Sequence, residues 1–328
     1  MAQESRGPAE GDVPTTADAS QASGTAKVSR GERMRTYLRL DRLDDVLEML
    51  WAEGPQVRLL AGGTDLLVHG ALQDAIVLDI SRIDELRGMH QADERWLRIG
   101  ACTTHAEIGS SRLISRLAHL LGQACRSVGS MQIRNLGTIG GNLANASPAA
   151  DSVPALACLG AEVELASTNG RRRLPVLDFT TGPGQTVLRP DELVEAVWIP
   201  PQAGRRVGFF AKTGQRRGVC CSKVSVAFWA RRMGDGSLWD VRIALGAVAP
   251  TVMRAREAEN LLEGRRLVPG LIQQAAEACS AATSPISDIR STADYRRKAA
   301  GAMLARGLFA LHDDIESWLK RKKRRRRR

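Results

Sequence analysis

The chain has 328 residues, 43% of them hydrophobic and 25% charged, enough to bury a substantial core in about two domains. Its formal charge of +11 includes nine consecutive cations at 320–328; the remainder stands at +2, so the basic character belongs to a tail and not to a folded domain. No run of about 18 apolar residues suits a membrane span, and the N-terminus lacks the apolar stretch, about 7–15 residues long, of a secretory leader; a cytoplasmic protein is predicted.

Residues 1–33, rich in Ala, Ser, Thr, Gly and Pro without apolar periodicity, are expected to stay disordered. The fold starts near Met34. Leu43, Val46, Leu47 and Leu50 keep helical spacing behind Asp41 as N-cap, and Gly54-Pro55 ends the helix. A strand at 57–60 leads into Ala61-Gly62-Gly63-Thr64-Asp65, and a second strand follows at 76–80. Beyond a charged stretch around Asp93, residues 96–99 read as a strand and 113–127 as one helix with leucines every three or four positions. The segment Thr138-Ile139-Gly140-Gly141-Asn142 then forms a second glycine loop. A short buried helix is predicted at 154–159, a strand at 161–165 and a hairpin turn at Asn169-Gly170, and Pro200-Pro201 marks a boundary. Strands at 207–212, 223–231 and 239–249 precede helices at 257–262, 271–282 and 295–311, the order of an α+β terminal domain. The cation run after them is expected to be a solvated coil, because like charges repel.

The two glycine loops carry the chemistry. Paired glycines remove Cβ where backbone turns sharply or approaches a ligand, and successive bare amides make an anion nest. Either loop alone is as well explained by a structural turn; together, with Thr64, Thr138 and Asn142 beside them and Asp151 suited to sugar hydroxyls, they point to a nucleotide cofactor. Valine at Gly62 or Gly141 is expected to fill the diphosphate space and abolish cofactor retention in a chain that still folds. Other candidates are weak. Gly182-Pro183-Gly184 lacks the third glycine of a dinucleotide fingerprint, and Lys212-Thr213-Gly214 has no partner serine. The five histidines lack ligand spacing, and Cys102, Cys125, Cys158, Cys220, Cys221 and Cys279 contain no C-x2-C pair, so buried reduced thiols are expected and neither zinc nor an iron–sulfur cluster.

Leu60-Ala61-Gly62-Gly63-Thr64-Asp65-Leu66-Leu67, the run Gln132-Ile133-Arg134-Asn135-Leu136-Gly137 continuing through Asn142, and Ser147-Pro148-Ala149-Ala150-Asp151 resemble the FAD-binding medium subunit of the molybdenum hydroxylases, the family of xanthine dehydrogenase and aerobic carbon monoxide dehydrogenase. Thr180-Thr181-Gly182-Pro183-Gly184, Arg189-Pro190-Asp191-Glu192-Leu193 and Ser287-Asp288 with Tyr295-Arg296 extend the resemblance from about residue 34 to 311. It implies an α+β protein: a two-subdomain FAD-binding domain of the vanillyl-alcohol-oxidase (PCMH) type at 34–203, split near 90, then a smaller α+β domain at 204–315; the extension at 1–33 and the basic tail at 316–328 fall outside the family pattern. It also implies FAD held by Arg58, Leu59, Leu60, Ala61, Gly62, Gly63, Thr64 and Asp65 on one side and Thr138, Ile139, Gly140, Gly141 and Asn142 on the other. Asp151 would bond a FAD hydroxyl and Val194 and Lys212 would lie near the isoalloxazine, with Val128 where some animal relatives carry an aromatic ring. The implied partners are a small subunit with two [2Fe–2S] clusters and a large molybdopterin subunit, in a heteromeric complex that could be a dimer of heterotrimers. The implied acceptor is NAD+, with quinone, oxygen or another carrier as the alternative. Outside that family, a scaffold whose basic tail recruits nucleic acid is the competing expectation.

Overall fold

The computed structural model describes residues 36–69, 72, 75–216 and 220–326; the predicted extension at 1–33 lies outside them. Thr36–Arg39, Ile76–Asp79 and Val57–Leu60 form a parallel three-stranded sheet with the Ile76 strand in the middle. Helix Leu43–Glu53 covers it with Leu43, Val46, Leu47 and Leu50, the four residues spaced for that face, and a 3-10 turn at Gly54–Gln56 containing Pro55 ends it. The helix begins one residue later than expected: Arg42 occupies the N-cap position, without a side-chain capping bond.

The second sheet is antiparallel and five-stranded, ordered Met89–Gln91, Leu97–Gly100, Leu193–Ile199, Glu162–Ser167, Gly170–Pro175. Its largest apolar cluster unites Ile99, Val163, Leu165 and Val197 with helices His119–Ser127 and Ser152–Leu159. The helix predicted at 113–127 is broken at Ala118, which is fully buried with φ −148° and ψ 47°, into Arg112–Leu117 and His119–Ser127.

Arg206–Thr213, Val224–Arg232, Leu238–Gly246 and Met253–Arg254 make a third, antiparallel sheet. Its two faces have different partners, as the period of two along a strand requires. Val224, Val226 and Phe228 pack beneath helices Arg256–Leu262, Pro269–Ala281 and Ala293–Arg326, whereas Ala227 and Trp229 point the other way into the cluster of the second sheet. The two halves of the molecule therefore share a core.

The last helix is longer than expected. It continues to Arg326, so the cations from Lys320 to Arg326 prolong a helix instead of forming a coil. Ala300, Leu304, Leu308 and Ile315 anchor that helix in the core, and once a helix is nucleated Lys and Arg extend it readily. Among the described residues no helix is long and apolar enough to cross a membrane.

Candidate functional site

A cleft of about 750 Å³, within the roughly 300–1,000 Å³ usual for small-molecule sites, opens between the parallel sheet and the second sheet. Arg58, Leu59, Leu60, Ala61, Gly62, Gly63, Thr64 and Asp65 form one wall; Val128, Thr138, Gly141, Asn142 and Asp151 lie along the other. Ile139 and Gly140 are buried behind that second wall, and Lys212 reaches it through Asp151. Val194 is not brought to the cleft: it pairs with Leu165 within the second sheet and packs in its core.

The two glycine motifs are built differently. In the first, the chain leaves the edge strand Val57–Leu60, turns with Gly63 at φ 67° and enters the short helix Leu66–His69. Among the described residues, the amides of Gly62, Gly63 and Thr64 meet no acceptor. The second motif, expected as a loop of bare amides, is instead the start of helix Ile139–Ala144 with Thr138 as N-cap. Its donors are used: Ile139 to the Thr103 carbonyl at 3.0 Å, Gly140 to the Ala101 carbonyl at 2.8 Å, Gly141 to Thr138 Oγ1 at 3.1 Å and Asn142 to the Thr138 carbonyl at 3.0 Å. The anion nest thus belongs to the first motif alone, and the second contributes side chains and a bare edge.

The glycines divide accordingly. A Cβ on Gly62 would run into the carbonyl of Leu136, and one on Gly140 into Ala101, so these two permit close approach of backbone to backbone. A Cβ on Gly141 would meet only its own cap, Thr138 Oγ1, at 3.0 Å, with the cleft beyond. The expectation that Gly62 and Gly141 both keep diphosphate space clear is therefore corrected for Gly62, whose missing side chain makes room for protein.

At the far end, Lys212 from the third sheet donates to Asp151 Oδ2 at 2.5 Å, to the Ser127 carbonyl at 2.8 Å and to the Cys220 carbonyl at 3.4 Å. Ser222 Oγ donates to Asp151 Oδ1 at 2.5 Å. Burial pushes the Asp151 carboxyl up, and Lys212 and Ser222 pull it back. Each carboxylate oxygen keeps a second lone pair, so the acid can still accept from a ligand hydroxyl while its position is held by the two donors.

His105, absent from the sequence-derived set, also lines the cleft. It opens helix His105–Ser110 behind a reciprocal cap between Thr104 and Glu107, and its amide donates to the Gly137 carbonyl at 3.0 Å. The Thr-x-x-Glu spacing was the available signal. The ring is buried, its Nδ1 has no partner among the described residues, and burial, with Arg134 adding to it, pushes it down to about 4. Between pH 6.5 and about 4 the unfolded chain binds a proton that the folded chain refuses, so stability falls as pH drops through that window, by up to about 1.4 kcal/mol per unit. His105→Gln is expected to flatten this slope. Urea midpoints of both proteins at pH 5 and pH 7 measure it, and equal slopes would contradict the assignment.

The chemistry open to this arrangement is binding. Three free amides line one stretch of the cleft, suited to phosphate oxygens, with a hydroxyl acceptor held at Asp151; Arg58 also lines it, while its Nη1 donates to the Pro55 and Val57 carbonyls. These residues fit a diphosphate-bearing cofactor. Among the described residues no cluster of His, Cys, Asp or Glu could hold a metal ion, and four of the six cysteines are buried, with Cys102, Cys158 and Cys279 pushed by burial up to about 12.

Residues 30–202 match the family model described as FAD binding domain in molybdopterin dehydrogenase, and residues 210–311 match the CO dehydrogenase flavoprotein C-terminal domain. The chain is 33% identical to the xanthine dehydrogenase FAD-binding subunit of Escherichia coli O157:H7, over 80% of this chain and 90% of that one. It is 34% identical to the glyceraldehyde dehydrogenase medium chain of Sulfolobus acidocaldarius, over 80% of this chain and 93% of the relative. Among solved structures, a carbon monoxide dehydrogenase from Hydrogenophaga pseudoflava superposes with a TM-score of 0.78 at 32% identity, covering 84% of this chain and 97% of that chain.

Proposed function

The chain belongs to the FAD-binding subunits of the molybdenum hydroxylases, with their PCMH-type FAD-binding domain and C-terminal domain, and from that premise we propose that it relays electrons from the [2Fe–2S] clusters of a partner subunit through FAD to NAD+. The observation that carries the binding part of this reading is the row of unclaimed amides at Gly62, Gly63 and Thr64 facing the Thr138–Asn142 edge across one cleft.

Bound FAD accepts electrons singly and releases two as a hydride, which couples one-electron to two-electron chemistry. The protein's part is to hold and orient it. The first motif would bind the diphosphate through backbone donors, Gly141 would leave the opposite side clear, and Asp151 would accept from a FAD hydroxyl. Lys212, fixed by Asp151 and the Ser127 carbonyl, would set a positive charge at the isoalloxazine end. Val128 would flank the ring with an aliphatic surface. No general base in this chain is required, because substrate oxidation would occur on a large molybdopterin subunit. The assembly would be heteromeric and cytoplasmic.

A second reading keeps the same FAD role and changes the acceptor to a quinone, oxygen or another carrier; the likeness to carbon monoxide dehydrogenase, as great as that to xanthine dehydrogenase, supports carrying it. One experiment separates the two. The complex purified with its co-purifying chains, reduced anaerobically and mixed with NAD+ in a stopped-flow instrument, is expected to reoxidise its flavin as NADH appears. Reoxidation by a quinone without any by NAD+ would overturn the NAD+ assignment and leave the flavin role standing, whereas a colourless preparation would overturn both.

A further inference from the structure

A second cleft, of about 640 Å³, opens at the seam between the second and third sheets and shares no lining residue with the first. Its floor is apolar: Leu97, Ile199 and Trp229 are buried there, and the His119 ring lies over Trp229 with centroids 4.6 Å apart. Burial pushes His119 down, and a hydrogen bond with the Gly208 backbone partly offsets this. The connector between the domains closes one side, locked by Gln202, which accepts from Trp229 Nε1 at 2.9 Å and donates to the Leu159 and Pro200 carbonyls.

The charges around this floor have one sign. Arg95, Arg116 and Arg206 line the cleft, and among the described residues no carboxylate lines it. Arg206 has a partner outside the cleft, Asp240 at 2.7 Å, yet its Nε is buried without an acceptor. Among the described residues neither Arg95 nor Arg116 has a carboxylate partner. Arg95 is held in place by unusual backbone: Glu94 and Arg95 are consecutive non-glycine residues in the left-handed region, at φ 54° and 65°, a conformation that persists where surrounding structure imposes it and that recurs at ligand clamps. Three guanidinium groups around a recessed apolar floor, two of them exposed without a carboxylate partner and one paired outside the cleft, suit an anion with an apolar body.

We propose that this cleft binds a small organic anion, a carboxylate or phosphate ester carried on a planar apolar group, with the charge met by Arg95, Arg116 and Arg206 and the body laid against the half-buried Leu117, His119 and Pro200 above the buried floor. The volume suits a small molecule.

Calorimetric titration of the flavin-loaded full chain with phenyl phosphate, benzoate and the neutral benzamide tests this. Saturable one-to-one binding of the two anions, absent for benzamide and weakened by salt, is expected, and Arg95→Ala or Arg116→Ala, both at exposed positions, is expected to weaken it about tenfold or more. No saturable binding of either anion in the millimolar range would overturn the proposal, as would binding that neither substitution affects. Binding of hexaglutamate but of neither small acid would also overturn it, assigning the cleft to an acidic protein segment. Flavin absorbance, followed in parallel, reports on the first cleft independently.

Discussion

Gly141→Val is expected to yield a folded, colourless protein. The isopropyl group would project from the second motif into the cleft, where nothing but Thr138 Oγ1 stands beside its Cβ, so the loss falls on the ligand and not on the packing. A flavin-to-protein absorbance ratio at least about tenfold below that of the parent, with an unchanged circular dichroism spectrum and the melting temperature of the flavin-free parent, is the expected pair of readings; a contact of charged phosphate with a preformed site is worth enough to lose that much. Gly62→Val is expected to fail differently. Its Cβ would overlap the Leu136 carbonyl carbon and oxygen, both backbone, and neither can yield without moving helix Met131–Leu136. Aggregation or a lowered melting temperature is expected there before any question of flavin arises. A Gly141→Val protein that purifies yellow at full stoichiometry would refute the placement of the cofactor along this edge.

The second large effect is expected at the ion pair between Asp151 and Lys212. The two side chains are 7% and 13% exposed, so removing either leaves a charge with little access to water. Breaking such a pair from one side costs about 3–5 kcal/mol, most of it the stranded charge. Asp151→Ala and Lys212→Ala are therefore each expected to lower the unfolding free energy of the flavin-free protein by about that amount in urea titrations. Asp151→Asn combined with Lys212→Met removes both charges at nearly the same volume and is expected to recover most of the loss, while flavin stays weakly held. A single substitution costing less than about 1 kcal/mol would mean that water reaches the pair and that its role is no more than that of a surface bridge.

The chemistry was more legible in the sequence than the geometry that delivers it. Gly62, Gly63, Thr138, Gly141 and Asp151 are separated along the chain, yet the residue types that phosphate and sugar recognition demands stood out at each. What could not be read was which glycine faces ligand and which faces protein, because that depends on a neighbour, Leu136 or Ala101, from elsewhere in the chain. The same holds for the second motif. The Ile139 and Gly140 amides looked bare because their acceptors, the Thr103 and Ala101 carbonyls, lie more than thirty residues upstream, whereas those of Gly141 and Asn142 are claimed by Thr138. Local patterns did locate the secondary structure: the leucine face of Leu43–Glu53 and the Asn169-Gly170 turn were visible from spacing alone. The break at Ala118 was not, since an alanine carries no stop signal and the surrounding leucines keep their rhythm across it. Ser222 escaped for a further reason. A lone serine has no sequence signature, and its role exists only because the third sheet brings it to Asp151.

The buried pair also has a history on the ribosome. Asp151 emerges 61 residues before Lys212, an interval of roughly 3–12 s at about 5–20 residues per second. Throughout that interval the acid lacks this counter-ion, and three strands of the second sheet, Glu162–Ser167, Gly170–Pro175 and Leu193–Ile199, are themselves still being made. The counter-ion comes with the Arg206–Thr213 strand. The later half of the polypeptide thereby completes the earlier one: the Asp151 end of the first cleft has its full set of side chains only once translation has passed the strand that supplies the lysine.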